Sequence, residues 1–402
     1  MHKKNKFLKT CPICGKKFFT EIERKKYIKN KWKHPNICKD CKESIIKQKL
    51  TNRIINHPEN YTFNQIDIGT INATDNKTLF IIGNGFDIVH GVNSRYTDFK
   101  KFLYPKSKLK YILNNYIAKF DIWGNLEDSL AFLDRNLLNN LDNFMEICGN
   151  LDEDDEDFSY GQNLYAPIDL TLEPAYMITV EMPKLFRKWV TTFQTPAPHS
   201  TFVNLFDPNS YYINFNYTEF LETVYGINRS QITYIHGNRL NKKEPLAFGH
   251  GYDTEELFEN WAREQNGASI DKKSPLYLAY FNDDDDDENL ENYRSAIQYY
   301  AIDIITQRLE TYFDKAQKNV KEIIKKYEAI FTSLNDIEQI IILGHSLSTT
   351  DYLYFKKLIE VNKNSQGLKW KICWYNIDDL VRQEKFLEAM NISLQQVEIF
   401  RI

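Results

Sequence analysis

The side chains placed to do chemistry in this sequence sit at the ends of apolar runs. Leu79 to Ile82 lead straight into Gly83-Asn84-Gly85-Phe86-Asp87, Tyr211 to Phe215 into Asn216-Tyr217-Thr218, and Ile232 to Ile235 into His236-Gly237. Gln339 to Leu343 end in Gly344-His345-Ser346-Leu347, with Asp351 close behind. Glycine at 83 and 85 permits a bare-backbone turn that a pyrophosphate can approach without meeting a Cβ. A neutral His236 can take a proton near pH 7. Asn216, like His236 just past a strand's apolar body, is a candidate for the same ligand crevice, where its amide can orient a water, and Asp87 can orient a histidine. The dinucleotide fingerprint G-x-G-x-x-G is not met, because its third position is Ile88 and the next glycine is Gly91. An ordinary Rossmann dehydrogenase loop is therefore excluded.

A second kind of chemistry belongs to the cysteines. Cys11-Pro-Ile-Cys14 and Cys38-Lys-Asp-Cys41 are two C-x-x-C pairs, 23 residues apart, in a short polar segment with too little apolar matter to fold alone. Four thiolates so paired suit tetrahedral Zn²⁺ in a structural zinc ribbon. Arg24, Lys25, Lys26, Lys29, Lys31 and Lys33 are interleaved there with Tyr27 and Trp32. This basic face fits contact with nucleic acid or a phage-derived trigger, and equally a solvated module that faces acidic runs elsewhere in the chain.

The elements that must position the tips follow from the apolar periods. Runs at 79–82, 211–215, 232–235, 339–343, 368–376 and 396–400 read as strands, with helical stretches between them. That alternation predicts an α/β fold with a doubly wound, mostly parallel sheet. Residues 1–50 form the ribbon, 51–76 a linker, and 77–402 the main domain, with helical insertions at about 100–203 and 252–335. In the first insertion, Asp121 to Leu130 and Phe186 to Trp189 read as amphipathic pieces, with a helix start at Asn125. In the second, Ile302, Ile305, Leu309 and Phe313 keep helical spacing. Thr349, Thr350 and Asp351 supply helix N-cap chemistry, with Phe355 and Leu358 turned inward. The acidic blocks Asp152 to Asp157 and Asp283 to Glu288 read as solvated loops, since neither has EF-hand spacing.

Composition narrows the class. The chain has 402 residues, 42% hydrophobic and 26% charged, which is globular rather than disordered. Its net charge of −4 hides an asymmetry, because residues 1–50 hold 16 Lys or Arg against 4 acids. No run of about 18 apolar residues is present, so a soluble cytoplasmic protein without membrane contact is expected. Gly344-His345-Ser346-Leu347-Ser348 approaches the hydrolase elbow G-x-S-x-G but lacks the last glycine, and no histidine follows His345. A serine hydrolase of that type is excluded.

Taken in order, the tips resemble the AbiH family of bacterial abortive-infection proteins over most of residues 78–376. The Arg95-Tyr96-Thr97-Asp98-Phe99 and Trp123-Gly124-Asn125-Leu126-Glu127-Asp128 runs belong to the same resemblance. The ribbon lies outside it. AbiH-like proteins in turn look like distant relatives of the sirtuin-type, Rossmann-type NAD-binding fold. By that resemblance Gly83, Asn84, Gly85 and Phe86 match the loop under the NAD pyrophosphate, and Arg95 begins the flexible loop beside it. Asn216 matches the asparagine near the nicotinamide ribose and His236 the catalytic histidine. Gly344 and Ser346 match the Gly-x-Ser turn at the cofactor, and Asn376 the asparagine near the adenosine ribose. Asp87 has no clear equivalent, and Tyr217-Thr218 replaces the usual residues after the asparagine, so protein deacylation is not implied. What is implied is an antiphage protein that hydrolyses NAD to nicotinamide and ADP-ribose. The alternatives are a sensor that binds NAD or ADP-ribose without turnover, or a nucleic-acid-binding defence protein. A homo-oligomer is left open.

Overall fold

The computed structural model describes residues 9–10, 17–18, 63–73, 77–117, 121–133, 144, 147–252 and 296–402. Strands β1 (Lys9–Thr10) and β2 (Lys17–Phe18) pair antiparallel. Cys11, Cys14, Cys38 and Cys41, the basic face and the acidic block 283–288 lie outside the described residues.

The main sheet contains β3 (Asn64–Gln65), β4 (Thr78–Ile82), β5 (Tyr211–Asn214), β6 (Ile232–Tyr234), β7 (Gln339–Leu343), β8 (Lys369–Trp374) and β9 (Val397–Arg401). Their spatial order is β3-β9-β8-β7-β4-β5-β6, with all neighbours parallel. Counted from β4, the six strands β4 to β9 lie in the doubly wound Rossmann order 3-2-1-4-5-6. The chain moves outward from β4 through β5 and β6, then returns to the other side of β4 to begin β7. The crevice past the ends of β4 and β7 is therefore the point where winding reverses, the place where such sheets bind ligands.

The expected strands form because their apolar runs are covered on both faces. Leu79 and Ile81 pack on one side with Ile340, Ile342, Phe355 and Trp370. Phe80 and Ile82 pack on the other with Tyr212, Ile341, Leu343 and Phe202. Residues 63–73, which carry no readable period, are an ordered part of the stretch read as a linker: β3 pairs with β9 at the sheet edge, and Ile71 and Ala73 are buried.

The two expected insertions make one body. Helices α1 (Asn84–Val89) and α2 (Tyr96–Phe102) follow β4, and α3 (Lys108–Tyr116) and α4 (Met182–Thr191) belong to the first insertion. Leu109, Ile112, Trp123, Phe186 and Trp189 share a core with Ile297, Ile305, Leu309 and Phe313 of α5 (Ala296–Ala316). Tyr312 ties the two together by donating to the Leu130 carbonyl at 2.9 Å. Residues 152–157 are exposed turns, as the charge density requires. Among the described residues no helix is long and apolar enough to cross a membrane.

Candidate functional site

A cavity of about 800 Å³ opens at the reversal point, lined by the residues that follow β4, β5, β6, β7 and β8. The structure brings together there every residue read as catalytic or nucleotide-binding: Gly83 to Asp87, Arg95, Asn216, His236, Gly344, Ser346 and Asn376.

The glycines have a packing reason of their own. A Cβ on Gly83 would stand 2.4 Å from His345 Cα, and one on Gly85 would stand 2.6 Å from Gly344 Cα. The turns after β4 and β7 thus interlock backbone to backbone. Gly83 N donates to the Leu343 carbonyl at 2.9 Å and Gly85 N to the Gly344 carbonyl at 2.7 Å. Those two amides are therefore spent on the fold. Asn84 Nδ2 donates to the Ser94 carbonyl at 2.9 Å and so pins the segment that leads to Arg95. Phe86 is buried, its ring among Phe202, Phe206 and Tyr225. Arg95, exposed at the N-cap of α2, pairs with no carboxylate among the described residues, and Ser346 is likewise exposed. Asn376 caps α7 (Ile377–Met390), its Oδ1 accepting from Asp379 N at 3.2 Å.

Asn216 and Asp87 form a fixed unit. Asn216 Nδ2 donates to Asp87 Oδ1 at 3.0 Å and to the Gly83 carbonyl at 3.1 Å, while Thr218 Oγ1 donates to Asp87 Oδ2 at 2.9 Å. The amide's nitrogen is thereby committed, and its oxygen is the group left for a ligand hydroxyl. Burial pushes the Asp87 carboxyl up to about 7, against the pull of Thr218, Asn216 and Arg239. Arg239 itself is occupied, held by Glu219 at 2.6 and 2.8 Å and by the Val190 carbonyl at 3.1 Å.

A raised carboxyl pKa makes the native state bind an extra proton between the ordinary 3.8 and about 7, so stability falls as pH rises through that window. Asp87→Asn is expected to flatten that fall. Urea unfolding midpoints across pH 4 to 7 check this, and parallel curves for the two proteins would refute it.

The second unit surrounds His236, which is 4% exposed. One ring nitrogen is held by a hydrogen bond to the Phe215 main chain. Nε2 is buried without a hydrogen-bond partner and stands 3.8 Å from Asp351 Oδ1. Burial holds the ring's pKa well below its ordinary value, aided by Lys318 and opposed by Asp351, so the ring is neutral near pH 7. His345 Nδ1 accepts from Leu347 N at 3.0 Å, which leaves the proton on Nε2 facing Asp351 Oδ2 at 3.4 Å. Lys318 Nζ joins Asp351 at 3.2 Å and Glu127 at 2.5 Å, and Tyr96 donates to Glu127.

This cluster corrects the reading of Asp351 as a helix cap. Asp351 is the N-cap of α6 (Tyr352–Val361), but its side chain makes no capping bond, because the carboxylate is drawn to Lys318 and the histidines. Burial alone would raise its pKa, yet Lys318 and His345 hold the carboxyl well below the usual range. Phe355 and Leu358 do turn inward. Lys318 carries no sequence signal, since it sits in a polar stretch after α5 with nothing local to mark it. Glu127 lay in a run singled out for its resemblance, but without a role.

No curated protein and no solved structure matches the chain. A family model, Bacteriophage abortive infection AbiH, matches residues 79–374, from β4 through β8, and so takes in the tips after β4 to β7 and the helical body over them. With the greater part of its length matched, the chain belongs to the AbiH family, whose role is in bacteriophage abortive infection.

Proposed function

We propose that the cavity binds NAD and hydrolyses it to nicotinamide and ADP-ribose. The observation that carries this reading is His236: a neutral, buried ring with an unpartnered Nε2, on a residue that lines a cavity at the sheet's reversal point. A cavity of about 800 Å³ is within the usual range for ligand sites of this size. Phe186, Trp189 and Tyr217 line it and suit a cationic pyridinium ring. Arg95, without an ion-pair partner among the described residues, suits a phosphate.

The nicotinamide–ribose bond has a leaving group that is already positive, so its departure needs no strong acid. The bonding pair goes to the pyridinium nitrogen, which leaves as neutral nicotinamide, and the ribose carbon becomes oxocarbenium-like. A water adds to that carbon while its proton passes to His236 Nε2. Asp351, 3.8 Å away, stabilises the imidazolium until the proton reaches solvent. Asn216 Oδ1, held in place by the bonds of its amide nitrogen to Asp87 and Gly83, orients the ribose hydroxyls. The sum is NAD and water giving nicotinamide, ADP-ribose and a proton.

The test is incubation of the purified protein with NAD, with nicotinamide and ADP-ribose followed by chromatography. Both products in equal amounts are expected. A rise in melting temperature with NAD but no turnover would replace the hydrolase with a nucleotide sensor, and neither binding nor turnover would end the NAD reading altogether.

A further inference from the structure

Lys318 lies between α5 and the helix Val320–Lys326, is 4% exposed, and yet lines the cavity. A buried ammonium needs partners, and it has one from each side of the site. Glu127 comes from the helical body at 2.5 Å, and Asp351 from the turn after β7 at 3.2 Å. The oxygen it takes on Asp351 is Oδ1, the one that faces His236 Nε2, whereas Oδ2 faces His345. The His345 imidazole and three aromatic rings complete the surroundings of the His236 ring, and a charge on His345 would oppose one on His236 as Lys318 does. The three rings are those of Phe215 at 5.0 Å, Tyr354 at 5.8 Å and Tyr217 at 6.4 Å, and His345 carries its proton toward Asp351. Tyr96 donates its hydroxyl to Glu127.

An ionised carboxylate beside an imidazole draws a proton onto it. A protonated His236 would have no lone pair with which to accept the proton of a water. We propose that Lys318 is the positioning residue that prevents this: by sharing Asp351 Oδ1 it weakens that carboxylate's hold on a proton at His236, so the resting ring keeps its Nε2 lone pair, while the carboxylate still faces the imidazolium once the water's proton arrives. The pKa directions agree, since Lys318 acts against protonation of His236 and is itself held above its ordinary value by Asp351 and Glu127, in spite of its burial. The arrangement also makes the histidine depend on the helical body, because Glu127 is what anchors the ammonium from that side.

The rate consequence rests on the NAD reading, but the protonation consequence does not, so the experiment reads both. In ¹⁵N-histidine-labelled full-length protein, the His236 ring is assigned as the signal lost in His236→Asn. In the wild type it is expected to stay neutral, with Nε2 unprotonated, well below the ordinary value of about 6.5. In Lys318→Met its titration is expected to move up by about 1–3 pH units, with Lys318→Arg close to wild type. The acid limb of the NAD turnover profile moves with it. Lys318→Met/Asp351→Asn, which leaves no unpaired Asp351 carboxylate, returns the ring to neutral and serves if the single variant does not fold. A wild-type ring titrating at its ordinary value, a ring unmoved in folded Lys318→Met, or one still protonated in the double variant would each overturn the proposal. Wild-type protein that shows these shifts but no turnover would overturn only the NAD reading.

Discussion

His236→Asn is expected to lower NAD turnover by about 10²–10⁴-fold, the usual worth of a positioned general base. The asparagine amide can still donate to the Phe215 main chain, so the change removes Nε2 and little else. KM for NAD is expected to stay near the wild-type value, because the ring's contribution comes when the water's proton moves and not when substrate docks. Steady-state kinetics with product chromatography, beside thermal shift with NAD, separate the two quantities. A variant that turns NAD over at the wild-type rate would remove His236 from the chemistry. Asn216→Ala is a less clean probe. Its nitrogen serves Asp87 and the Gly83 carbonyl, so truncation strips a buried carboxyl of a donor and costs stability as well as rate.

The contrast between these two residues also explains what the sequence made legible. His236 and Asn216 could be found because each ends an apolar strand run, and a strand's apolar body fixes where its polar tip must fall. The same logic recovers β7 at Gln339–Leu343 and places Gly344 at the reversal point. Lys318 obeys no such rule. It follows a helix in a polar stretch, and only the meeting of the helical body with the turn after β7 brings Glu127 and Asp351 to it. Asp351 departs from its local pattern for a related reason. Thr349-Thr350-Asp351 ahead of a helix matches the local capping pattern, but a buried ammonium and two imidazoles are stronger partners than a backbone amide. Thr350 is diverted too, donating to Asp128 at 2.8 Å. Residues 63–73 were unreadable because a two-residue edge strand is too short to carry a period.

The largest stability effect is expected at Gly344, where two separate costs fall on one atom. Its φ of +65° disfavours any side chain, and a Cβ there would lie 2.3 Å from Phe86 N and 2.6 Å from Gly85 Cα. The left-handed conformation costs an alanine about 1–2 kcal/mol. The clash adds about 1–3 kcal/mol, since backbone on both sides can yield only by pulling two turns apart. Gly344→Ala is therefore expected to lose about 3 kcal/mol or more, a large part of the stability of an ordinary domain. Two other glycines separate the causes. Gly91 has φ +78° with nothing within 4 Å of its would-be Cβ, so Gly91→Ala carries the conformational cost alone. Gly85 carries the clash, with Gly344 Cα at 2.6 Å, and is not among the glycines of positive φ. Urea unfolding of the three variants should rank Gly344→Ala as the least stable, and Gly344→Ala no worse than Gly91→Ala would show that the turns do not interlock. Because the turns that interlock are the ones carrying Asp87 and His345, any Gly344→Ala protein that folds is expected to lose affinity for NAD as well. Separating them moves the Asp87 unit that holds Asn216 and the Asp351 cluster that serves His236 out of register with each other.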